Sequence, residues 1–266
     1  MRTAVHQPFL WLSLQVASLW PQWKWYAQRL VDGSDEPLGV IALLALLVFV
    51  VREAPRLRRE PDVRWLFVAG ALSIASVFAL QATPLLGALA GVLALAAALA
   101  AWLPVGAPRL PFAGLLVLSL PLLSSLQFFA GYPLRIVTAQ LSCWLLQIAG
   151  FHAARSGSSI FVGSQLVIVD APCSGIQMAW MAYFAAFAAA AAQAIPDRIL
   201  LRRLPFVGAL VLAGNTLRNC ILVAWEARGP APGEFWHQAV GLVALAMVCL
   251  LVFTLVRREA PRAVAA

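Results

Sequence analysis

The chain has 266 residues, of which 62% are hydrophobic and only 11% are Asp, Glu, Lys or Arg. A soluble domain carries about 25% charged residues, so this composition excludes a water-soluble globule and equally a disordered chain, because neither can leave so much apolar surface in water. The net charge of +8 would indicate a nucleic-acid partner only if it formed a patch, and its distribution along the chain argues otherwise.

At about 20 residues per spanning helix the length accommodates about seven or eight spans and no large soluble domain. Residues 1–266 are therefore read as a single integral-membrane domain, a polytopic all-α protein with about eight transmembrane helices. The apolar runs predict spans over 8–26, 38–51, 65–80, 85–104, 111–130, 173–194, 204–226 and 237–256. The first lacks a cleavable signal pattern, is read as a retained span, and is interrupted by Pro21, Gln22 and Lys24; the second is short. Trp11, Trp20, Trp23 and Trp25 read as interface anchors. The Arg52–Arg64 run reads as a solvated loop, and Gly87 and Gly91 have the spacing of closely packed membrane helices. Between the fifth and sixth spans lies the only long non-spanning stretch, 131–172. There Leu134, Ile136, Val137, Leu141, Trp144, Leu145 and Ile148 recur mainly at helical spacing, which predicts an amphipathic helix on the membrane surface. Ser158–Phe161, a Gly163-Ser164 turn and Leu166–Val169 predict a small β-hairpin that delivers the chain to Asp170-Ala171-Pro172-Cys173-Ser174-Gly175.

The basic residues set the orientation. With a cytoplasmic N-terminus, 13 of them fall on the cytoplasmic side, from Arg2 through the Arg52–Arg64 loop to Arg262, and 5 fall outside: Lys24, Arg29, Arg135, Arg155 and Arg228. Arg218 alone lies inside a span. The asymmetry follows the positive-inside rule, places both termini in the cytoplasm and so favours an even number of spans.

Three residues carry candidate chemistry. Cys173 stands at the predicted external start of the sixth span, beside Pro172 and Ser174, where the positive end of a helix dipole favours a thiolate. Arg218, in Asn215-Thr216-Leu217-Arg218-Asn219, lies eight residues before Glu226, or about 12 Å deep at 1.5 Å per residue. A charge at that depth is expensive and marks a functional site by default. His237 opens the eighth span in Trp236-His237-Gln238-Ala239-Val240-Gly241. The topology brings this nucleophile, cation and base to one membrane face, a constellation suited to acyl transfer. Cys143, Cys220 and Cys249 read as packing residues, and His6 and His152 lie away from the cluster. No Cys-x-x-Cys pair and no Cys/His cluster of zinc spacing is present, which argues against a thiol oxidase or a zinc site, and no other metal or organic cofactor is indicated.

Pro172-Cys173-Ser174-Gly175-Ile176, Asn215-x-x-Arg218 and His237-x-x-x-Gly241, in this order on three late spans, resemble the exosortase/archaeosortase family. The hairpin before the cysteine and the Trp-rich start are also similar, and the resemblance covers about residues 10–256. The first external loop, Asp32-Gly33-Ser34-Asp35-Glu36-Pro37, departs from the Tyr-Ser-His-Gly-like element of many members. The resemblance implies a membrane cysteine endopeptidase and transpeptidase in the inner membrane of an exopolysaccharide-producing bacterium. Its substrates would be secreted proteins ending in a Pro-Glu-Pro-type motif, a hydrophobic helix and a basic tail. Cys173 would attack the motif to form a thioester, Arg218 would stabilise the oxyanion or thiolate, and His237 would carry the proton to the leaving amine. Ser174, Gly175, Asn215 and Gly241 would support them. An acceptor nucleophile of unknown identity, or water, would release the product.

Two other classes compete. A transporter or channel subunit would use Arg218 as an anion site and would need more polar residues lining a path than the scattered Gln81, Gln127, Gln177 and Asn215. A non-catalytic scaffold in exopolysaccharide or secretion assembly would need no reactive thiol. The expected partners are the lipid bilayer and tagged secreted proteins, with no nucleic acid.

Overall fold

The computed structural model describes residues 3–31, 33, 37–163, 165–168, 174–229 and 233–257. Apolar side chains with no water to satisfy the backbone leave the helix as the obvious solution, and the described residues form ten α-helices and one small antiparallel sheet. The helices are α1 (Thr3–Ser18), α2 (Trp20–Val31), α3 (Leu38–Glu53), α4 (Val63–Ala82), α5 (Pro84–Trp102), α6 (Leu110–Leu118), α7 (Leu123–Ile148), α8 (Ile176–Ala192), α9 (Asp197–Glu226) and α10 (Glu234–Arg257). Five spans are long and apolar enough to cross a membrane, α3 taken with the short turn that carries it to Arg56, α4, α5, α9 and α10, or six if α6 and α7 together make one span. The 17-residue α8 is apolar but shorter. Length and composition alone thus reach five or six spans, not the expected eight. The chain divides into two compact units, Met1–Leu122 with Phe187–Leu201, and Leu123–Ala186 with Arg202–Ala266.

In the first unit α5 is the core. Its small residues allow close approach: a Cβ on Gly87 would stand 2.7 Å from the Leu80 backbone, and one on Gly91 would stand 3.2 Å from Ser76 Oγ. Ser76 in turn donates to the Gly87 carbonyl at 2.6 Å and receives Gln22 Nε2 at 2.6 Å. The expected first span is broken at Leu19 into α1 and α2, next to the Pro21 that flagged it, since proline lacks the N–H a continuing helix needs. The start of α6 is built by a residue distant in sequence: Asp197 Oδ1 accepts the backbone N–H of Arg109 at 2.8 Å and of Leu110 at 2.9 Å. One carboxylate thereby satisfies two of the four donors that a helix N-terminus leaves open.

The second unit corrects the sequence reading in two places. The predicted span 111–130 is not one helix, and the predicted surface helix is not separate. The chain stops being helical at Ser119–Leu122, ahead of and at Pro121, and α7 then runs unbroken from Leu123 through Gly131 and Pro133 to Ile148. The residues expected to lie on the membrane surface are the last turns of α7. The predicted hairpin is a three-stranded meander, β1 (Ala153–Ser156), β2 (Ser159–Val162) and β3 (Gln165–Ile168), in the order β1-β2-β3. The extra strand turns into β2 at Gly157, whose φ of +61° suits a tight turn that a side chain would strain. Alternation along β2 buries Ile160 and Val162 against Ala139, Cys143 and Leu146 of α7 and Val223 of α9. Gln147 Nε2 donates to the Ala153 carbonyl at 2.8 Å and Arg155 Nε to Gln140 Oε1 at 2.7 Å, pinning the sheet to α7.

Replacing Asp197 by alanine should strip both bonds from the α6 N-terminus and lower stability by about 1–3 kcal/mol. Thermal unfolding in detergent reads this, with Asp197→Asn recovering part of the loss.

Candidate functional site

The second unit holds every described candidate residue. α9 is an apolar helix interrupted by a polar run, Asn215-Thr216-Leu217-Arg218-Asn219, in which Asn215, Thr216 and Asn219 are buried and Arg218 is half-buried. Helical geometry sets Asn215 and Arg218, three apart, on one face. From that face the run reaches two neighbouring elements.

Toward α10, Arg218 Nη2 lies 3.2 Å from Nε2 of His237, which is half-buried in the first turn of that helix. A guanidinium has only donors, so a hydrogen bond between them requires Nε2 to accept. Gly241, one turn beyond His237, makes the contact sterically possible: a Cβ there would stand 3.2 Å from Arg218 Nε and 3.4 Å from Nη2. Aromatic rings flank the pair, with Trp236 tilted against Trp225 at 5.7 Å and edge-on to Phe235 at 5.4 Å between ring centroids.

Toward α7, Asn215 Nδ2 donates to Thr138 Oγ1 at 3.3 Å, and both residues are almost wholly buried. Asn215 also packs on Gly175, whose φ is +82°; a Cβ on Gly175 would stand 2.9 Å from the Asn215 amide. Glycine is needed at that position on two counts, backbone conformation and space. Ser174, 3% exposed, donates to Gln127 Oε1 of α7 at 3.1 Å while its Oγ receives the Ile176 N–H at 3.4 Å. Ser174 therefore caps α8, which begins at Ile176 rather than at the expected Cys173. Cys173, with Asp170 and Pro172, lies outside the described residues.

The structure thus brings Arg218, His237 and Gly241 together, and separately Ser174 and Gly175 with Asn215. Gln127 and Thr138 complete the second group. Each has other polar residues near it in the sequence, Ser124 and Ser125 before Gln127 and Gln140 after Thr138, so sequence alone offers only the cost of burying such a group as a signal. The remaining thiols pack or bond locally. Cys143 is buried under the sheet, and Cys220 lies 3.6 Å from the Ser142 carbonyl.

A family model described as transmembrane exosortase matches residues 26–254, and the chain belongs to that family. Comparison with curated proteins yields no match, nor does comparison with solved structures. Family membership makes the chain an integral membrane protein with a role in processing sorting signals. Exosortases are generally membrane cysteine proteases or transpeptidases.

A Gly175→Ala substitution should cost about 1–2 kcal/mol from the left-handed backbone alone, with a further loss from collision with Asn215. Adding Asn215→Gly should recover the collision part and leave the backbone part. A thermodynamic cycle over the two single variants and the double variant measures the split.

Proposed function

We propose that this transmembrane exosortase removes the C-terminal sorting signal of secreted proteins by cysteine acyl transfer, with Cys173 as nucleophile, Arg218 as the anion-stabilising cation and His237 as the proton carrier. The observation that carries this reading is the 3.2 Å contact between Arg218 and His237. It joins a cation and a titratable ring from two apolar helices, in the same compact unit as the Ser174-Gly175 turn that follows Cys173.

The pairing suggests how the two residues divide the work. While Arg218 donates to Nε2, the imidazole lone pair is occupied. When Nε2 takes the Cys173 thiol proton, that hydrogen bond ends and two cations stand side by side. Repulsion then turns Arg218 toward the negative charge made in the same step. The thiolate attacks the carbonyl carbon of the sorting motif, forming the C–S bond, and the carbonyl electrons move onto oxygen beside Arg218. Collapse of that intermediate breaks the C–N bond, and the amine departs with the proton held by His237. A thioester remains on Cys173. An acceptor amine, or water, attacks it and gives its proton to His237 as the thiolate leaves. Nε2 then passes that proton to the thiolate, and Arg218 returns to Nε2.

The substrate class follows from family resemblance and from topology. Eight crossings are reached if the α1–α2 pair, the α6–α7 pair and α8 each cross once beside the five long spans. The excess of arginine on one side then puts both termini in the cytoplasm of a bacterial inner membrane and the site on its periplasmic face. A substrate helix with a basic tail would lie parallel to the spans with its tail inside, which sets a Pro-Glu-Pro-type motif at the outer surface.

The test follows the size of a protein from the same genome that ends in a short motif, a hydrophobic span and a basic tail. Cells carry the wild type, Cys173→Ala, or no enzyme. The tail should be lost only with the wild type, and Arg218→Ala and His237→Ala should each slow the loss by about 100-fold or more. Equal processing in all three strains, across every such protein in the genome, would overturn the reading in favour of transport or scaffolding.

A further inference from the structure

The mechanism above makes no use of Gln127, although it is the residue of α7 that holds the turn next to the proposed nucleophile. Its Oε1 accepts the Ser174 hydroxyl at 3.1 Å. Gly131, one turn along α7, leaves the room: a Cβ there would stand 2.7 Å from that same oxygen. Ser174 is 3% exposed, and its Oγ at the same time receives the Ile176 N–H at 3.4 Å. The hydroxyl therefore has one defined orientation, with its proton toward α7 and a lone pair toward the first turn of α8. On the opposite side Gly175 rests against Asn215 of α9, which is anchored on Thr138 of α7.

We propose that Gln127 is a positioning residue for catalysis: by accepting the Ser174 hydroxyl it fixes the start of α8 and thereby the place from which Cys173, the preceding residue, attacks. This rests on the reading of Cys173 as nucleophile. A neutral carbonyl acceptor suits the task. An apolar residue would leave the buried hydroxyl to seek another partner and free its rotation, and a misplacement of the attacking atom by an ångström can cost on the order of 100-fold in rate. A positioning residue acts without touching the substrate, so its loss should appear in turnover rather than in binding.

The experiment uses the full-length protein in detergent and a peptide carrying the motif, hydrophobic segment and basic tail of the processed substrate. Gln127→Leu and Ser174→Ala should each lower kcat by about 10- to 100-fold with KM within about twofold. The double variant should be no slower than either single one, because both remove the same bond. Gln127→Glu, which keeps an acceptor of the same size, should restore kcat to within a few fold of wild type. Alkylation of Cys173 by iodoacetamide, followed on its own peptide by mass spectrometry, should slow in parallel in the two loss variants.

Wild-type kcat in Gln127→Leu, additive losses in the double variant, or equal loss in Gln127→Glu would overturn the proposal. If Gln127→Leu does not accumulate, Ser174→Ala and Gln127→Glu decide, and wild-type kcat in Ser174→Ala overturns it. Cys173→Ala in the same assay separates the two levels. Turnover that survives it removes the nucleophile and with it anything Gln127 could position. Turnover lost there but retained in Gln127→Leu removes the role of Gln127 alone.

Discussion

The guanidinium of Arg218 is the constraint around which the second unit is organised. It stands eight residues inside α9, and a cation at the centre of a spanning helix costs about 2.5–3.5 kcal/mol on insertion scales. One hydrogen bond involving a charged group returns about 1.5–3 kcal/mol, so a partner at the right distance is enough to bring the cost near balance. His237 is that partner among the described contacts, at 3.2 Å. Residue 241 leaves room for the contact by having no side chain, and the rings of Trp225 and Trp236 meet beside it at 5.7 Å between centroids. A leucine at 218 would be the more comfortable residue for the bilayer. That the chain carries an arginine, with a glycine and an imidazole fitted to it, is a cost more readily explained by chemistry than by folding.

Toward α7 the polar run works without charge. Ser142 Oγ donates to the Thr216 carbonyl at 3.4 Å, Cys220 Sγ approaches the Ser142 carbonyl at 3.6 Å, and Asn215 bonds Thr138. This is the way membrane helices associate, through small polar side chains and close backbones rather than through apolar burial, because lipid competes for apolar contact on equal terms. The seam fixes α7 to α9, and the three-stranded sheet then sits over both helices through Ile160 and Val162. The sheet in turn aims the chain at the segment before Ser174. A soluble-type hydrophobic contact thus tops a membrane-type polar one.

Much of this was legible in the sequence, and the misses have physical causes. Hydropathy found α3, α4, α5, α9 and α10 because length and apolarity are all that a bilayer demands of a span. It ran through Ser119–Leu122 because an averaged window does not register that Pro121 removes a donor and disfavours a helical residue before it. It stopped too early at Gly131 and Pro133, where α7 in fact continues, since flanking helices can satisfy what a membrane proline leaves open. β1 was missed because Ala153-Ala154-Arg155-Ser156 has little strand preference and owes its conformation to pairing with β2. For the site, Arg218, Asn215 and Gly241 stood out through their cost or their spacing. Gln127 and Thr138 did not, because nothing local says which of several buried polar residues will find a partner 47 or 77 positions away.

The arrangement also explains why a single helix can serve both as scaffold and as catalyst carrier. Residues three apart on α9 point about 60° from each other at 3.6 residues per turn, enough for Asn215 to face α7 and the Gly175 turn while Arg218 faces α10. Asn215 is almost wholly buried, bonded to Thr138 and packed against Gly175. Arg218, half-buried at the end of a longer side chain, contacts a ring that itself changes charge in the proposed reaction. A packed turn next to the proposed nucleophile, and an exchangeable hydrogen bond where charge would develop, is the distribution the proposed acyl transfer requires. The dipoles are oriented when the helices pack, so little reorganisation remains for the moment of reaction.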